Sequence, residues 1–136
     1  MADVEQSEDA NKHVVREFLK HMSAMNAPEI AKWITDDFTV VHKGSSVLRG
    51  SYSLADLPAL VDKLTATLPN GIRLTIIDMF AERDAVLCEA KGTSTSASGK
   101  PYNNEYLLLF RVRDGRVASM TEYLDSKLVD EVFAAP

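Results

Sequence analysis

Apolar side chains recur every three or four positions near the start of the chain, with charged side chains between them. The apolar positions are Val14, Val15, Phe18, Leu19, Met22 and Met25. This spacing predicts a long amphipathic helix. Pro28 suits the first turn of a second, shorter helix, which we expect to end at Asp36 and Asp37.

Alternation of polar and apolar residues then indicates β-strands. A first strand is predicted over residues 38–43, and the turn at residues 44–46 leads into a short partner strand that ends near Gly50. Four more strands are predicted later in the chain. They cover residues 72–81, 85–95, 102–113 and 116–124.

Helical spacing returns on both sides of these four strands. A third helix is predicted before them, beginning either after Ser53 or nearer Pro58, and a short last helix follows Asp125 or Ser126. Helices first and antiparallel strands afterwards are typical of an α+β fold, with the helices on one face of a curved sheet. We expect one domain at residues 10–133, preceded by an acidic, flexible N-terminus at residues 1–9.

The last hairpin decides which side chains face the helices. A two-residue loop would place Leu109 opposite Met120, whereas a three-residue loop with Gly115 in a left-handed bulge places Tyr106 opposite Glu122. The second register joins the more apolar faces of the two strands, and a one-residue slip is costly when one face is buried. We therefore predict an inner face formed by Tyr106, Leu108, Phe110, Val112, Ala118, Met120, Glu122 and Leu124.

This register places a carboxylate, Glu122, on an otherwise apolar surface. Strand parity places His42 on the same side, because Phe38 and Val40 are expected to point inward. A carboxyl group on an apolar surface tends to have a raised pKa, and a nearby imidazole can share its proton. We therefore predict that His42 and Glu122 form an acid/base pair.

Structural interpretations of the same residues remain open. His42 could be a rim residue or a hydrogen-bonded core group. Glu122 could form a buried ion pair with Lys91 or Arg73. Glu89 either lines the pocket or faces solvent, since the two faces of its strand cannot be told apart. Cys88 is interpreted as a small buried apolar residue.

Composition and charge argue against nucleic-acid and membrane partners. The 136 residues are 46% hydrophobic and 26% charged, which is typical of one soluble domain. Four of the 20 acidic residues lie in the first nine positions, and the other 16 nearly balance 15 basic residues. We therefore expect no nucleic-acid partner. The longest apolar run, residues 106–110, is too short to span a membrane, so no membrane partner is expected.

The number and spacing of the cysteine and histidine residues argue against a disulfide-containing protein and against a metal site. The single cysteine cannot form an internal disulfide, and no secretory signal is visible, so we expect a cytoplasmic protein. His13 and His21 are too far apart for a chelating pair on one helix. Gly-rich phosphate loops and GxSxG elbows are missing as well. The sequence therefore predicts neither a metal nor a cofactor.

Three segments in the second half carry a resemblance to a known family. They are residues 99–106, 110–117 and 122–125, and the first half adds a similar segment at residues 35–37. Over residues 10–133 the chain resembles SnoaL-like, ketosteroid-isomerase-related proteins of the nuclear transport factor two superfamily. The resemblance implies a cone-shaped α+β fold, an internal pocket for a small hydrophobic molecule, and a homodimer formed through the sheet.

The resemblance also suggests how the site departs from steroid isomerases. His42 stands where those enzymes have their general-base aspartate. Phe18 stands at the position of their oxyanion tyrosine, and Leu108 stands near that of their protonated aspartic acid. Two of the three polar groups are therefore missing, which argues against steroid isomerisation. Glu122 replaces a small apolar pocket residue, which implies a different acid/base arrangement.

The expected function is that of a cofactor-independent acid/base enzyme of the isomerase, cyclase, dehydratase or hydrolase type. His42 and Glu122 are the predicted catalytic residues, and Tyr106 and Asn104 would orient the substrate. The alternative is a non-catalytic ligand-binding or homodimerisation module in which Lys91 or Tyr106 holds Glu122. The predicted substrate-binding residues are Phe18, Trp33, Val40, Glu89, Asn104, Tyr106, Leu108 and Met120.

Overall fold

The computed structural model describes residues 4–134, which form four α-helices and one six-stranded sheet. The helices are α1 (Val4–Ser23), α2 (Ala27–Ile30), α3 (Leu57–Thr67) and α4 (Ser126–Phe133), with a 3₁₀ turn (Ala31–Trp33) after α2. The strands are β1 (Ile34–His42), β2 (Gly50–Tyr52), β3 (Arg73–Glu82), β4 (Ala85–Thr93), β5 (Glu105–Arg113) and β6 (Arg116–Leu124).

The sheet has the strand order β2-β1-β6-β5-β4-β3. Strand β1 runs parallel to β6, and every other neighbouring pair is antiparallel, so the sheet is mixed. Helix α1 packs across one face and contacts strands β3 to β6. The predicted α+β class, with helices laid on one face of the sheet, is confirmed.

The main hydrophobic core lies between α1 and the inner face of the sheet. Phe18 of α1 meets Phe38 and Phe110, with ring centroids 5.7 and 6.0 Å away, and all three side chains are buried. A second, smaller apolar cluster lies beside α4. Its buried members are Leu48, Leu68, Tyr102, Val129 and Phe133.

Helix α1 begins at Val4, earlier than the predicted domain start. Residues 1–3 of the predicted flexible N-terminus lie outside the described residues, and residues 4–9 belong to the helix. The Glu8 carboxylate accepts a hydrogen bond from the Arg83 backbone N–H at 2.8 Å, and the Asn11 side chain donates to the Arg83 carbonyl at 3.0 Å. The acidic segment therefore packs against the β3–β4 turn rather than forming a separate tail.

The prediction that the second helix ends at Asp36 and Asp37 was wrong. Residues 34–37 belong to β1, where Ile34 pairs with Val117 of β6. The Asp37 carboxylate accepts hydrogen bonds from the Thr35 hydroxyl and from the Arg113 guanidinium, both compatible with an extended chain. Cross-strand pairing thus outweighs the local helical spacing. The short partner strand also begins at residue 50 instead of ending there.

The remaining element boundaries differ from the prediction by a few residues. Helix α3 begins at Leu57 with Pro58 in its first turn, in agreement with the alternative start nearer Pro58. Helix α4 follows Asp125, whose carboxylate accepts hydrogen bonds from two backbone N–H groups of the first turn. Strand β4 ends at Thr93, and β5 begins at Glu105 rather than at residue 102.

The last hairpin has neither of the two predicted registers. Asp114 and Gly115 both have positive φ and form a two-residue loop, and the register then shifts by one residue at Ala118. This bulge pairs Glu122 with Leu108 instead of with Tyr106. The three-residue loop was therefore wrong, and Ala118 leaves the inner face. Glu122 still points inward, because the bulge compensates for the shorter loop.

Candidate active site

An apolar cavity of about 280 Å³ lies between the end of α1, helix α3 and the inner face of the sheet. Aliphatic side chains of α3 form one wall, and strands β5 and β6 form the opposite wall. Its polar lining comes mainly from His42, Glu122, Tyr102 and Tyr106. The aliphatic and aromatic lining residues include Met22, Ile30, Leu48, Leu60, Leu64, Leu68, Ile72, Leu108, Leu124 and Phe133.

The parallel pairing of β1 and β6 brings the two predicted catalytic residues together. His42 and Glu122 are direct register partners, and the His42 Nδ1 atom lies 3.1 Å from Glu122 Oε2. The His42 side chain is 7% exposed and that of Glu122 is 21% exposed. The imidazole is therefore enclosed by protein, whereas the carboxylate retains access to the cavity.

A third polar side chain extends this pair away from the cavity. Ser46, in the loop after β1, is fully buried, and its Oγ atom lies 3.2 Å from His42 Nε2. The Leu48 backbone N–H also donates a hydrogen bond to Ser46 Oγ at 3.2 Å. Both imidazole nitrogens therefore have polar neighbours.

Tyr102, which precedes β5, and Tyr106 of β5 also line the cavity. Tyr102 Oη accepts a hydrogen bond from the Asn104 side chain at 3.2 Å. The Tyr106 hydroxyl is buried and has no hydrogen-bond partner among the described residues. Burial raises the pKa of both phenols, so both remain protonated at neutral pH. Each can therefore act as a hydrogen-bond donor.

The structural alternatives proposed for Glu122 are not found. Lys91 is exposed and lies beside Glu89 and Glu105 at the opposite face of the sheet. Arg73 is exposed as well, and within residues 4–134 the ion-pair partner of Glu122 is His42. Tyr106 does not hydrogen-bond to Glu122 either.

The structure separates the predicted substrate-binding residues into two groups. Tyr106 and Leu108 line the cavity. Phe18, Val40 and Met120 are buried in the main core, and the partly buried Trp33 packs against that core. The predicted roles of these four residues in the pocket do not fit this placement, because none of the four lines the cavity.

Asn104 and Glu89 lie away from the cavity for different reasons. Asn104 is 1% exposed and bonds to the Asp125 backbone through both N–H and C=O, which ties β5 to the start of α4. Glu89 is exposed on the outer face, because Val86, Cys88 and Ala90 take the inner face of β4. Cys88 is buried, which raises the pKa of its thiol to about 11, and this agrees with its interpretation as an apolar residue.

Sequence reasoning missed Ser46, Tyr102 and the contribution of α3. Tyr102 has the same parity as Tyr106, which was a usable signal. Ser46 lies in a loop, where parity gives no direction. The apolar residues of α3 were interpreted only as a helical stripe, and none of them is fully buried.

Two further findings concern metal binding and membrane insertion. Within residues 4–134, no group of three or more His, Cys, Asp or Glu side chains is placed to hold a metal ion. In the same range, every helix is too short or too polar to cross a membrane.

The fold and the site define a cone-shaped α+β pocket protein with an imidazole–carboxylate pair on the wall of an apolar cavity. The family model of the SnoaL-like domain matches residues 15–120. The chain therefore belongs to the SnoaL-like family. Among curated proteins, none matches the sequence significantly.

Solved structures with low sequence identity share this fold. Bal32a, from a soil-derived mobile gene cassette, has a TM-score of 0.82 at 16% identity, covering 93% of this chain and 98% of that one. A proposed SnoaL-like polyketide cyclase from Jannaschia sp. CCS1 has a TM-score of 0.77 at 19% identity, covering 100% and 97%. A proposed isomerase from Bacillus subtilis has a TM-score of 0.78 at 15% identity, covering 94% and 95%. These similarities establish the fold.

Proposed function

We propose that the protein is a cofactor-independent acid/base enzyme acting on a small, uncharged hydrophobic molecule. One observation carries the proposal: the hydrogen-bonded pair His42 and Glu122 lies on the wall of an apolar cavity, and the carboxylate is the more exposed partner. Carboxylates placed against a substrate are common general bases. The family similarity to proposed cyclases and isomerases supports the same class of chemistry.

In the proposed reaction, Glu122 accepts a proton from the carbon next to a substrate carbonyl. The electron pair of the broken C–H bond moves to form an enolate, and the carboxyl group later returns the proton to the product. His42 donates a hydrogen bond to the carboxylate and orients it. The protonated Tyr102 phenol, which lines the cavity, would donate a hydrogen bond to a substrate oxygen, as donors in apolar sites do.

The charge of the cavity lining suggests the substrate class. Glu122 is the acidic side chain on the lining, and lysine and arginine are missing from the lining residues within 4–134. The negative charge of Glu122 would repel a carboxylate or phosphate ligand. His42 is the lining side chain that could carry a compensating positive charge. Bringing such an anion into an apolar site without a partner is costly. We therefore expect neutral substrates to be preferred over their carboxylate analogues.

Isotope exchange tests the proposal directly. A panel of neutral enones and lactones is incubated with the protein in D₂O, and NMR follows conversion or deuterium incorporation. We expect turnover of at least one compound, and Glu122→Gln lowers the rate by about 10²–10⁴-fold. Glu89→Gln is the matched control, because Glu89 lies on the outer face and its replacement leaves the rate unchanged. A Glu122→Gln variant as active as the wild type overturns the proposal.

The outer face of the sheet supports a homodimer as part of this proposal. Leu107 and Tyr123 are cross-strand partners there, and Phe80 lies on the same sheet face with 58% of its side chain exposed. Exposed large apolar side chains on one sheet face are typical of a protein interface, and a second copy offers the same face. Light scattering should give twice the chain mass for the wild type and a single-chain mass for Leu107→Glu. Leu54→Glu, at another exposed position, is the control.

A non-catalytic ligand-binding module is the second candidate. The buried, unpartnered hydroxyl of Tyr106 favours binding of a polar group without requiring chemistry. Under this alternative, members of the same panel bind with measurable heat by calorimetry but show no exchange or conversion. Wild-type turnover that depends on Glu122 excludes this alternative.

A further inference from the structure

We propose that Ser46 is a positioning residue that holds His42 in the tautomer with its proton on Nδ1, so that the imidazole donates to Glu122. The catalytic consequence of this arrangement rests on the proposed function. The tautomer itself is a property of the folded protein and can be measured without a substrate.

The inference rests on the hydrogen bonds that the Ser46 hydroxyl can form. Ser46 Oγ has two neighbours within hydrogen-bond distance among the described residues, the Leu48 backbone N–H and His42 Nε2, each at 3.2 Å. A backbone N–H can only donate, so it uses a lone pair of the hydroxyl oxygen. The hydroxyl hydrogen then has His42 Nε2 as its acceptor. A nitrogen that accepts this hydrogen is unprotonated in the neutral ring.

The opposite tautomer, with the proton on Nε2, gives unfavourable contacts at both ring nitrogens. A proton on Nε2 would leave the buried Ser46 hydroxyl hydrogen without an acceptor among the described residues. It would also direct the Nδ1 lone pair at Glu122 Oε2, 3.1 Å away. Unsatisfied buried polar groups and facing lone pairs are both costly. The observed distances therefore favour the Nδ1-protonated ring.

The loop that carries Ser46 is held in place by several contacts. The Ser46 carbonyl accepts the Arg49 N–H at 3.1 Å, which closes a turn. The Val47 N–H donates to the Asp130 carboxylate of α4 at 2.8 Å. Gly44 lies against Ser126, and a Cβ atom at position 44 would come within 2.1 Å of its hydroxyl. These contacts fix Ser46 against the imidazole.

This placement gives the residues distinct roles. Ser46 is fully buried and is not among the cavity-lining residues, so it is not a nucleophile. His42 Nε2 is occupied by Ser46 and does not exchange protons with a substrate. Glu122 is therefore the group that takes and returns the substrate proton, and His42 orients its carboxylate.

Nitrogen NMR of protein labelled with ¹⁵N-histidine tests the inference. In the wild type, at a pH where the ring is neutral, we expect a protonated Nδ1 and an unprotonated, hydrogen-bonded Nε2 for His42. Ser46→Ala should move the Nε2 resonance towards that of a free acceptor nitrogen. Ser46→Thr, which keeps the hydroxyl, and Ser45→Ala, at an exposed neighbour, should leave it in place.

Two results overturn the inference: a proton on Nε2 in the neutral wild-type ring, or a Ser46→Ala spectrum identical to that of the wild type. If Ser46→Ala does not fold, the wild-type tautomer and the Ser46→Thr spectrum decide the question. With an active substrate, Ser46→Ala should lower kcat about tenfold with little change in KM, the size of one lost hydrogen bond. The predicted tautomer in a protein without turnover would refute the proposed function while leaving the role of Ser46 intact.

Discussion

The two ends of the cone are filled in different ways. At the closed end, defined by Phe18, Phe38 and Phe110, the ring of Phe18 packs against the other two rings, and all three side chains are buried. At the other end, α3 covers the sheet without burying any of its own residues fully, and a cavity lies beneath it. Strand β5 contributes side chains to both ends: Phe110 to the core, and Tyr106 and Leu108 to the cavity. The comparison shows that single strands of this fold contribute both to the packed core and to the cavity.

The largest expected effect is the loss of an aromatic ring at the closed end. Phe110 is fully buried, so Phe110→Ala should lower the free energy of unfolding by about 3–5 kcal/mol. Leu64→Ala, in the partly buried α3 wall, should cost only about 1 kcal/mol. Urea denaturation of both variants checks this difference. Equal losses at the two positions would contradict the division between the ends.

Adding a methyl group at Gly92, beside the cavity, should lower the free energy of unfolding by an intermediate amount. A Cβ atom at Gly92 would lie 2.8 Å from Ile72 Cγ2 and 2.9 Å from Tyr106 Cε2. Gly92→Ala should therefore lower the free energy of unfolding by about 1–3 kcal/mol. Adding Tyr106→Leu removes the ring, so the losses in the double variant should sum to less than the two single effects. Strict additivity in denaturation experiments would show that the ring is not the obstacle.

The two cavity tyrosines should respond to loss of the hydroxyl with opposite signs. The Tyr106 hydroxyl is buried without a partner among the described residues, so Tyr106→Phe should raise the free energy of unfolding by about 1 kcal/mol. The Tyr102 hydroxyl accepts a hydrogen bond from Asn104, so Tyr102→Phe should lower it by a similar, roughly 1 kcal/mol, amount. Thermal or urea unfolding measures both. Destabilisation by Tyr106→Phe would reveal a partner for its hydroxyl.

The smallest expected effect lies on the surface of the closed end. Hydrogen bonds from the Arg113 guanidinium and the Thr35 hydroxyl lower the pKa of Asp37 from 3.8 to about 2. Because the folded-state pKa is depressed, the contribution is complete above pH 3.8 and is lost as the pH falls towards 2. Asp37→Asn should remove this part of the acid dependence of urea stability. Asp36→Asn, at an exposed neighbour, should retain it.

Strand parity explains why part of the site could be predicted from the sequence. His42 follows Phe38 and Val40 at two-residue spacing, and such spacing holds wherever one face of a strand is buried. The inward direction of Glu122 followed from the apolar pattern of β6, although its partner across the sheet was wrong. Parity is a local property, and the two-residue loop and the bulge at Ala118 together shift the pairing by an even number of residues, so Glu122 keeps its face.

The parts of the site outside regular strands could not be predicted in this way. Ser46 reaches His42 through a loop held by Asp130 of α4, a contact between residues distant in sequence. Residues 34–37 had helical spacing but form a strand, because Val117 of β6 supplies a pairing partner. Phe18 was assigned to the pocket because the resemblance places it at the position of the oxyanion tyrosine of steroid isomerases. Only the packed structure shows that core side chains surround it.

The parallel contact between β1 and β6 also has a consequence for biosynthesis. His42 and Glu122 are separated by 80 positions, and β6 is the last of the six described strands to leave the ribosome. The hairpins of β3, β4 and β5 join near neighbours and can form earlier, whereas closing such a long loop is slow. A nascent chain can therefore form its imidazole–carboxylate pair only after β6 has left the ribosome, and a chain released before that point lacks the pair.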